Sequence, residues 1–312
     1  SPSFRLGDDN AAAVSEVCRR LDGLPLAIEL AAARMRMLSA GQLAERLDDI
    51  FAVLAGGART APRRHQTLRA TLDWSHDLLD EQERAAFRRL AVFRGGFTLA
   101  AAEQVAAGAE IPPGQVLELL TRLADKSLIR VEHDGGPARY HLLSTVREYA
   151  RERLAGSPDE ERARQAHLSY CVGLAEACEP RLEGGTGPAG LERLLDQLDA
   201  DLPSLRAAVE FATARGDTTA VLRIAASLSR FAYLRGHYQE IRQWINKVVR
   251  AGSPAPAGLR AKALAGSGRL ALLQCDYASA ARQLETARRL YQELDDPCLL
   301  YTSDAADDLT RV

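Results

Sequence analysis

The residues that could do chemistry are few, and their spacing argues against most reactions. Cys18, Cys171, Cys178, Cys275 and Cys298 include no CxxC pair. Cys171 and Cys178 are seven residues apart and share one helix face, so they read as buried or half-buried free thiols. His65, His76, His133, His141, His167 and His237 show no metal-ligand spacing. No G-x-x-x-x-G-K-S/T loop occurs, so no run of backbone N–H groups ending in a lysine can cradle phosphates. HExxH and GxSxG are absent too. Aspartates and glutamates are plentiful but alternate with arginine along helices, the pattern of a solvated face. No catalytic residue and no metal ligand is assigned, and the chain is not read as an enzyme.

Composition is that of a folded protein. Of 312 residues, 46% are hydrophobic and 26% charged, enough for a sizeable core and for two or three domains. A formal net charge of −2 argues against a whole-chain nucleic-acid binder. Only Lys126, Lys247 and Lys262 are lysines among 40 Lys+Arg, an arginine bias that fits GC-rich coding. No stretch approaches the roughly 18 apolar residues of a membrane span, and SPSFRLGDDN has no signal-peptide pattern. The free thiols fit a reducing cytoplasm, and no membrane partner is expected. The start without Met reads as a piece cut from a longer chain.

Periodicity supplies the elements. Residues 1–60 read as a small helical domain: Val14, Val17 and Leu21 repeat at helical spacing, Gly23 and Pro25 interrupt, Leu26 to Ala33 resumes, and Leu43, Leu47 and Phe51 mark a third helix. Gly56 to Gln66 reads as a linker. Within 61–155, Asp80 and Glu83 form a capping box, Thr98 caps a short helix, and Pro112-Pro113 opens another through Lys126 with Leu117, Leu120 and Leu123 as its core stripe. The period then drops to two: Leu128, Ile129, Val131 and Tyr140, Leu142 flank the turn signal Asp134-Gly135, and Ser144 caps a closing helix. Helices followed by a two-stranded wing outline a winged-helix domain.

From 156 to 297 the pattern is helix pairs, broken at Gly184–Pro188, Gly216-Asp217, Gly236-His237, Gly252–Pro256 and Cys275-Asp276. Gly236-His237-Tyr238 and Cys275-Asp276-Tyr277 are 39 residues apart. Gly268, Ala280 and Ala287 sit where the two helices of a tetratricopeptide repeat approach, with Tyr277 expected to fill the space beside them. Ile241 and Val248 stand in the matching small-residue positions one repeat earlier. Residues 298–312 change composition and resemble translated sequencing-adapter sequence, so they are read as a non-native tail.

Cys18 to Arg34, centred on Gly23-Leu24-Pro25-Leu26, resembles the GLPL segment of the NB-ARC-type signal-transduction ATPases, the STAND class. Gln66–Ser75, Leu90–Phe97, Leu123–Leu128 and Tyr140–Leu154 are similar to the segments that follow it in bacterial regulators of that class. The resemblance implies a P-loop domain upstream, missing here, that binds ATP or ADP with Mg. This chain holds no cofactor of its own, but Gly23, Leu24, Pro25 and Leu26 would border the nucleotide base. The residues alone equally allow a helix break without a ligand. Tyr140-His141-Leu142 falls at the family's Met-His-Asp position, which implies phosphate contact by His141. Leu142 replaces the Asp, and a structural strand-edge histidine is the other reading.

The resulting expectation is a mainly α fold: a small helical domain, a winged helix with a two-stranded wing, then tetratricopeptide-like repeats. It would be the switch and sensor part of an ATP-dependent regulator, one of transcription, whose helical repeats bind a small effector or a protein. Tyr233, His237, Tyr238 and Trp244 are the candidate groove, although Tyr238 and Trp244 also suit a core. DNA would be contacted through a domain outside this chain, because Arg122 and Lys126 of the would-be recognition helix are offset by Glu118 and Asp125. Oligomerisation on activation is a further implication. Two other readings stay open: a stand-alone helical protein-binding scaffold, and a winged-helix DNA binder.

Overall fold

The computed structural model describes residues 5–7, 10–20, 23, 28, 32, 35, 38–46, 72–73, 76–77, 79–126, 128–133, 136–250, 252 and 254–294. Leu24, Pro25, Leu26, the Asp134-Gly135 turn, the 56–66 linker and the 298–312 tail lie outside them. The described chain is mainly α-helical with one antiparallel pair of strands, β1 (Ile129–Glu132) and β2 (Arg139–Leu142). It divides into two compact units, one drawn from Ser1–Val92 and Gly96–Ala163, the other from Phe93–Gly95 and Arg164–Val312.

The first unit contains α1 (Ala11–Arg20), α2 (Ala40–Arg46), α3 (Glu81–Leu90), α4 (Leu99–Ala106), α5 (Val116–Asp125) and α6 (Ser144–Leu154). Short side-chain caps set where these helices begin. The Asp80 carboxylate accepts from Glu83 N–H at 2.8 Å and Glu83 accepts from Asp80 N–H at 2.8 Å, satisfying two donors that the first turn of α3 leaves open. Thr98 accepts from Ala101 N–H in the same way at the start of α4. Pro112 and Pro113 lead through one 3₁₀ turn into α5. Ser144 does not cap α6: the N-cap position is Leu143, and no side-chain hydrogen bond closes it.

Phe87, Leu90, Phe97, Leu120, Leu123 and Tyr149 are fully buried in this unit. Each such side chain stabilises the fold by about 1.5–3 kcal/mol. Leu117 does not belong to the core stripe of α5. It is exposed, and the helix turns Val116, Leu119, Leu120 and Leu123 inward instead, a stripe that includes the full i, i+3, i+4, i+7 set. The wing pairs Ile129 with Leu142 and Val131 with Tyr140, and Tyr140 exchanges both backbone hydrogen bonds with Phe97. Arg89 is buried but fully engaged, by Asp159, Glu110 and the Ala106 carbonyl.

The second unit is built from helix pairs: α7 (Glu160–Leu182) with α8 (Pro188–Ala214), α9 (Thr218–Ser227) and α10 (Ser229–Arg235) with α11 (Tyr238–Arg250), and α12 (Ala257–Leu273) with α13 (Tyr277–Glu293). The breaks fall at the glycine and cysteine turns read from the sequence. Gly236 (φ 84) and Cys275 (φ 56) both take the left-handed conformation, which glycine adopts freely and cysteine rarely does. Asp217 and Asp276 then cap α9 and α13 through Ala220 N–H and Ser279 N–H. The interruption at Leu228, between α9 and α10, has no glycine or proline to announce it.

Helix α12 touches α9, α10, α11 and α13. A helix packed on so many sides needs small residues, and Ala261, Ala263, Ala265, Gly266, Ser267, Gly268 and Ala271 are all buried. A side chain at Gly268 would strike Leu284, next to the Ala280 carbonyl, so the close approach inferred from the small residues holds. Tyr277 does not fill space there: it is 65% exposed, at the outer end of α13. Ile241 and Val248 are buried in α11. No helix of the described residues is long and apolar enough to cross a membrane.

Candidate functional site

On the first unit the exposed face of α5 carries Leu117, Glu118, Thr121, Arg122 and Asp125. Its cations are already committed. Arg122 donates to Glu118 at 2.5 Å and to Asp80 at 3.3 Å. Lys126, just past the helix end, donates to both oxygens of the buried Glu83 at 2.6 and 2.7 Å. A duplex reader needs free cations and polar side chains aimed at base edges. This face offers carboxylates and a leucine instead.

His141 lies on β2, with Nε2 3.0 Å from an oxygen of Glu132 on the neighbouring strand. Its ring covers Gly96 so closely that a Cβ there would collide with it. Arg139 donates to the Gly96 carbonyl at 2.7 Å, which pins the same corner. The Glu132 carboxylate therefore stands against His141 Nε2, and a phosphate approaching that nitrogen would meet it. Gly23 has φ +66 and is exposed.

On the second unit the four groove candidates have different surroundings. Tyr233 is 43% exposed on α10, with the Arg230 guanidinium 4.8 Å above its ring. His237 stacks on Phe231 at 5.2 Å, and its Nε2 lies 3.1 Å from Asp199 on α8. Arg235 joins Asp199 at 3.0 Å and also pairs with Glu192 and Asp196. Tyr238 and Trp244 are half-buried against the main core.

A polar layer that the sequence reading missed runs across the first helices of the three pairs. Arg223 on α9 grips Glu176 on α7 with two hydrogen bonds, at 2.6 and 2.7 Å. These bonds hold the Glu176 carboxyl below its usual range. Glu179 accepts from Ser227 at 3.1 Å and from Lys262 on α12 at 2.5 Å. The signal was present in the sequence: Arg223 and Lys262 are 39 residues apart, the same offset that relates the turns at Gly236 and Cys275. Arg230 and Arg269 repeat it.

A Cys–His–Asp set inside the second unit looks superficially catalytic. His167 Nε2 is 3.6 Å from the Cys171 sulfur, which also faces the Ser204 carbonyl, and Asp201 is buried nearby on α8. Burial pushes the Cys171 thiol well up, with Asp201 adding to it, whereas a nucleophile needs a thiolate. Burial, helped by Arg94, lowers His167 to about 4, so it does not serve as a base near neutrality. Phe93 packs edge-on against the imidazole at 5.0 Å. The set is core. Cys178 is likewise buried, its thiol raised by burial.

Residues 79–155 match the family model of a winged helix-turn-helix domain. The chain is 40% identical over 307 residues to a Mycobacterium tuberculosis protein named by inference as an HTH-type transcriptional regulator, covering 96% of this chain and 34% of that one. A Mycobacterium bovis protein of the same kind of name matches to the same extent. An uncharacterised M. tuberculosis protein is 48% identical over 159 residues, 51% of this chain and 40% of its own. The chain thus spans about a third of the length of the regulators it matches. A STAND protein with a tetratricopeptide repeat sensor from Pyrococcus horikoshii aligns over 89% of this chain and 55% of its own at 14% identity, with a TM-score of 0.27, too slight a likeness to bear on the fold.

Proposed function

We propose that this chain is the switch and sensor part of a larger transcriptional regulator, in which the winged helix packs against its own protein rather than reading DNA and the tetratricopeptide-like helix pairs receive the signal. The observation that carries this reading is the self-pairing of α5: Arg122 and Lys126 are closed by Glu118, Asp80 and Glu83 in a domain of helix-turn-helix type. The names of the mycobacterial relatives support a role in transcription. The parent would be an ATP-driven protein of the STAND kind, its nucleotide and Mg held by a P-loop domain outside this chain. Gly23, Leu24, Pro25, Leu26 and His141 would face that domain. DNA would be bound elsewhere in the parent.

The match of residues 79–155 to a helix-turn-helix model favours one competing reading, direct DNA binding. The two are separated by anisotropy of a labelled duplex of about 20 base pairs, titrated with this chain at about 50 and about 200 mM salt, where phosphate contacts produce a steep salt dependence. We expect no binding in the micromolar range at either salt. Tight binding that collapses at the higher salt would overturn the packing role and establish the winged helix as the DNA reader.

A further inference from the structure

The polypeptide passes between the two units three times, at Val92/Phe93, Gly95/Gly96 and Ala163/Arg164. The first two passages enclose Phe93–Gly95, three residues from the connection between α3 and α4 that nevertheless belong to the second unit. All three are seated there. Phe93 is buried, edge-on to His167 and Tyr170 of α7 at 5.0 and 6.3 Å. The Arg94 N–H donates to the Ser204 hydroxyl of α8 at 3.3 Å, and its guanidinium grips Glu210 of α8 with two hydrogen bonds, at 2.6 and 3.0 Å. A Cβ on Gly95 would stand 3.1 Å from the Ala200 carbonyl oxygen, with the Pro203 ring behind it, so glycine alone fits without moving backbone.

The next two residues are held as firmly within the first unit. A Cβ on Gly96 would collide with the His141 ring, and the Gly96 carbonyl accepts from Arg139 at 2.7 Å. Phe97 exchanges two backbone hydrogen bonds with Tyr140, at 2.8 and 2.9 Å. No slack separates the two sets of holds. Gly95 and Gly96 are consecutive, and Cα atoms across a trans peptide stay about 3.8 Å apart. A displacement of Gly95 from α8 must therefore be taken up by Gly96, under His141, or by Phe97, on Tyr140. The anchors differ in strength. Phe93 is enclosed, whereas the Arg94 and Glu210 side chains are 42% and 60% exposed, so their pair is the hold that salt or a competing ligand reaches first.

We propose that Phe93–Gly95 is the transmission element of the protein: seated on α7 and α8 it fixes β2 of the winged helix through Gly96 and Phe97, and loosening of the Arg94–Glu210 clasp frees His141 and Tyr140. Few bonds are involved, so the release is a local opening that leaves the rest of each unit folded. The inference rests on reading the second unit as the part that receives the signal, and names the route by which the signal leaves it.

The test is amide hydrogen exchange of the full chain, read residue by residue by NMR. Glu210→Gln removes a charge from α8 and touches nothing in the first unit. It should speed exchange of the Phe97 and Tyr140 amides about twofold to fivefold, the range of an exposed ion pair, while the amides of Phe87 in α3 and Leu120 in α5 keep their wild-type rates. Glu176→Gln breaks another exposed pair of the second unit, with Arg223, and should leave Phe97 and Tyr140 unchanged. The charge swap Arg94→Glu with Glu210→Arg should restore slow exchange. Unchanged rates at Phe97 and Tyr140 in Glu210→Gln, equal acceleration at Phe87 and Leu120, an equal response to Glu176→Gln, or no rescue by the swap would each overturn the proposal. The measurement involves neither DNA nor effector, so its failure leaves the packing role of the winged helix to the duplex titration, and failure of that role leaves the coupling standing.

Discussion

The two units treat their cations in opposite ways. In the first, Arg122 and Lys126 are closed by carboxylates of the same fold, and the helix that would enter a groove shows a self-neutralised surface. In the second, the cations divide: Arg223 and Lys262 are closed from α7, whereas Arg230 and Arg269 are exposed and, among the described residues, make no ion pair with a carboxylate. A surface that has satisfied its own charge gains little from an outside anion, because existing pairs must be broken first. A surface with unpaired arginines at repeated spacing gains at once.

The contrast depends most on Glu83, which is buried, completes the capping box of α3 by accepting from Asp80 N–H, and holds Lys126. Glu83→Ala removes one of the two capping-box bonds and a largely buried ion-pair partner together. Breaking a buried pair from one side costs about 3–5 kcal/mol, and the partial exposure of Lys126 places the expected loss near the lower figure. Denaturant unfolding checks it. A loss under about 1 kcal/mol would mean that the first unit does not depend on its internal neutralisation.

The second unit carries a buried titratable group of the opposite kind, a neutral one. His167 stands near 4 against an ordinary 6.5, so between those values the unfolded chain binds more protons than the folded one. Stability from this residue is therefore complete above about pH 6.5 and is lost as pH falls toward 4, about 3 kcal/mol over the window. His167 faces Phe93 and Cys171, with Arg94 as the charged neighbour that adds to the depression. Unfolding free energies of wild type and His167→Leu, compared at pH 7 and pH 5, should show the variant losing less on acidification. Parallel losses would show that carboxylates, not this histidine, govern the acid response.

Much of this architecture was legible in the sequence because local chemistry and tertiary demand agree there. Asp80–Glu83, Thr98 and the Pro112-Pro113 entry are caps whose mechanism is written in neighbouring residues. Leu117 and Tyr277 misled because apolar type was read as burial, and the direction each faces is set by what packs on the helix. Ser144 misled because a cap requires backbone geometry as well as a hydroxyl. The break at Leu228 carries no breaker residue. The polar layer from Glu176 to Lys262 was half legible: the 39-residue offset was in hand, but it was applied to turns and small residues and not to the charges between them.

The smallest effects discriminate most finely between filled and open positions on the second unit. Arg223 makes a two-pronged pair with Glu176 across two helices, although both side chains are partly exposed, at 45% and 40%. Such pairs contribute about 0.2–1 kcal/mol, and the bidentate geometry puts Arg223→Ala toward the upper end. Arg230→Ala removes only an exposed stacking contact with Tyr233, worth about 0.5 kcal/mol, the lower end of the range for exposed cation–π pairs. Thermal unfolding of the two variants should therefore rank Arg223→Ala as the more destabilised. Because stability changes this small add when the sites share no partner, the double variant should show their sum. The reverse ranking would mean that Arg230 is engaged inside the fold, and the distinction between filled and open positions would then have no energetic basis.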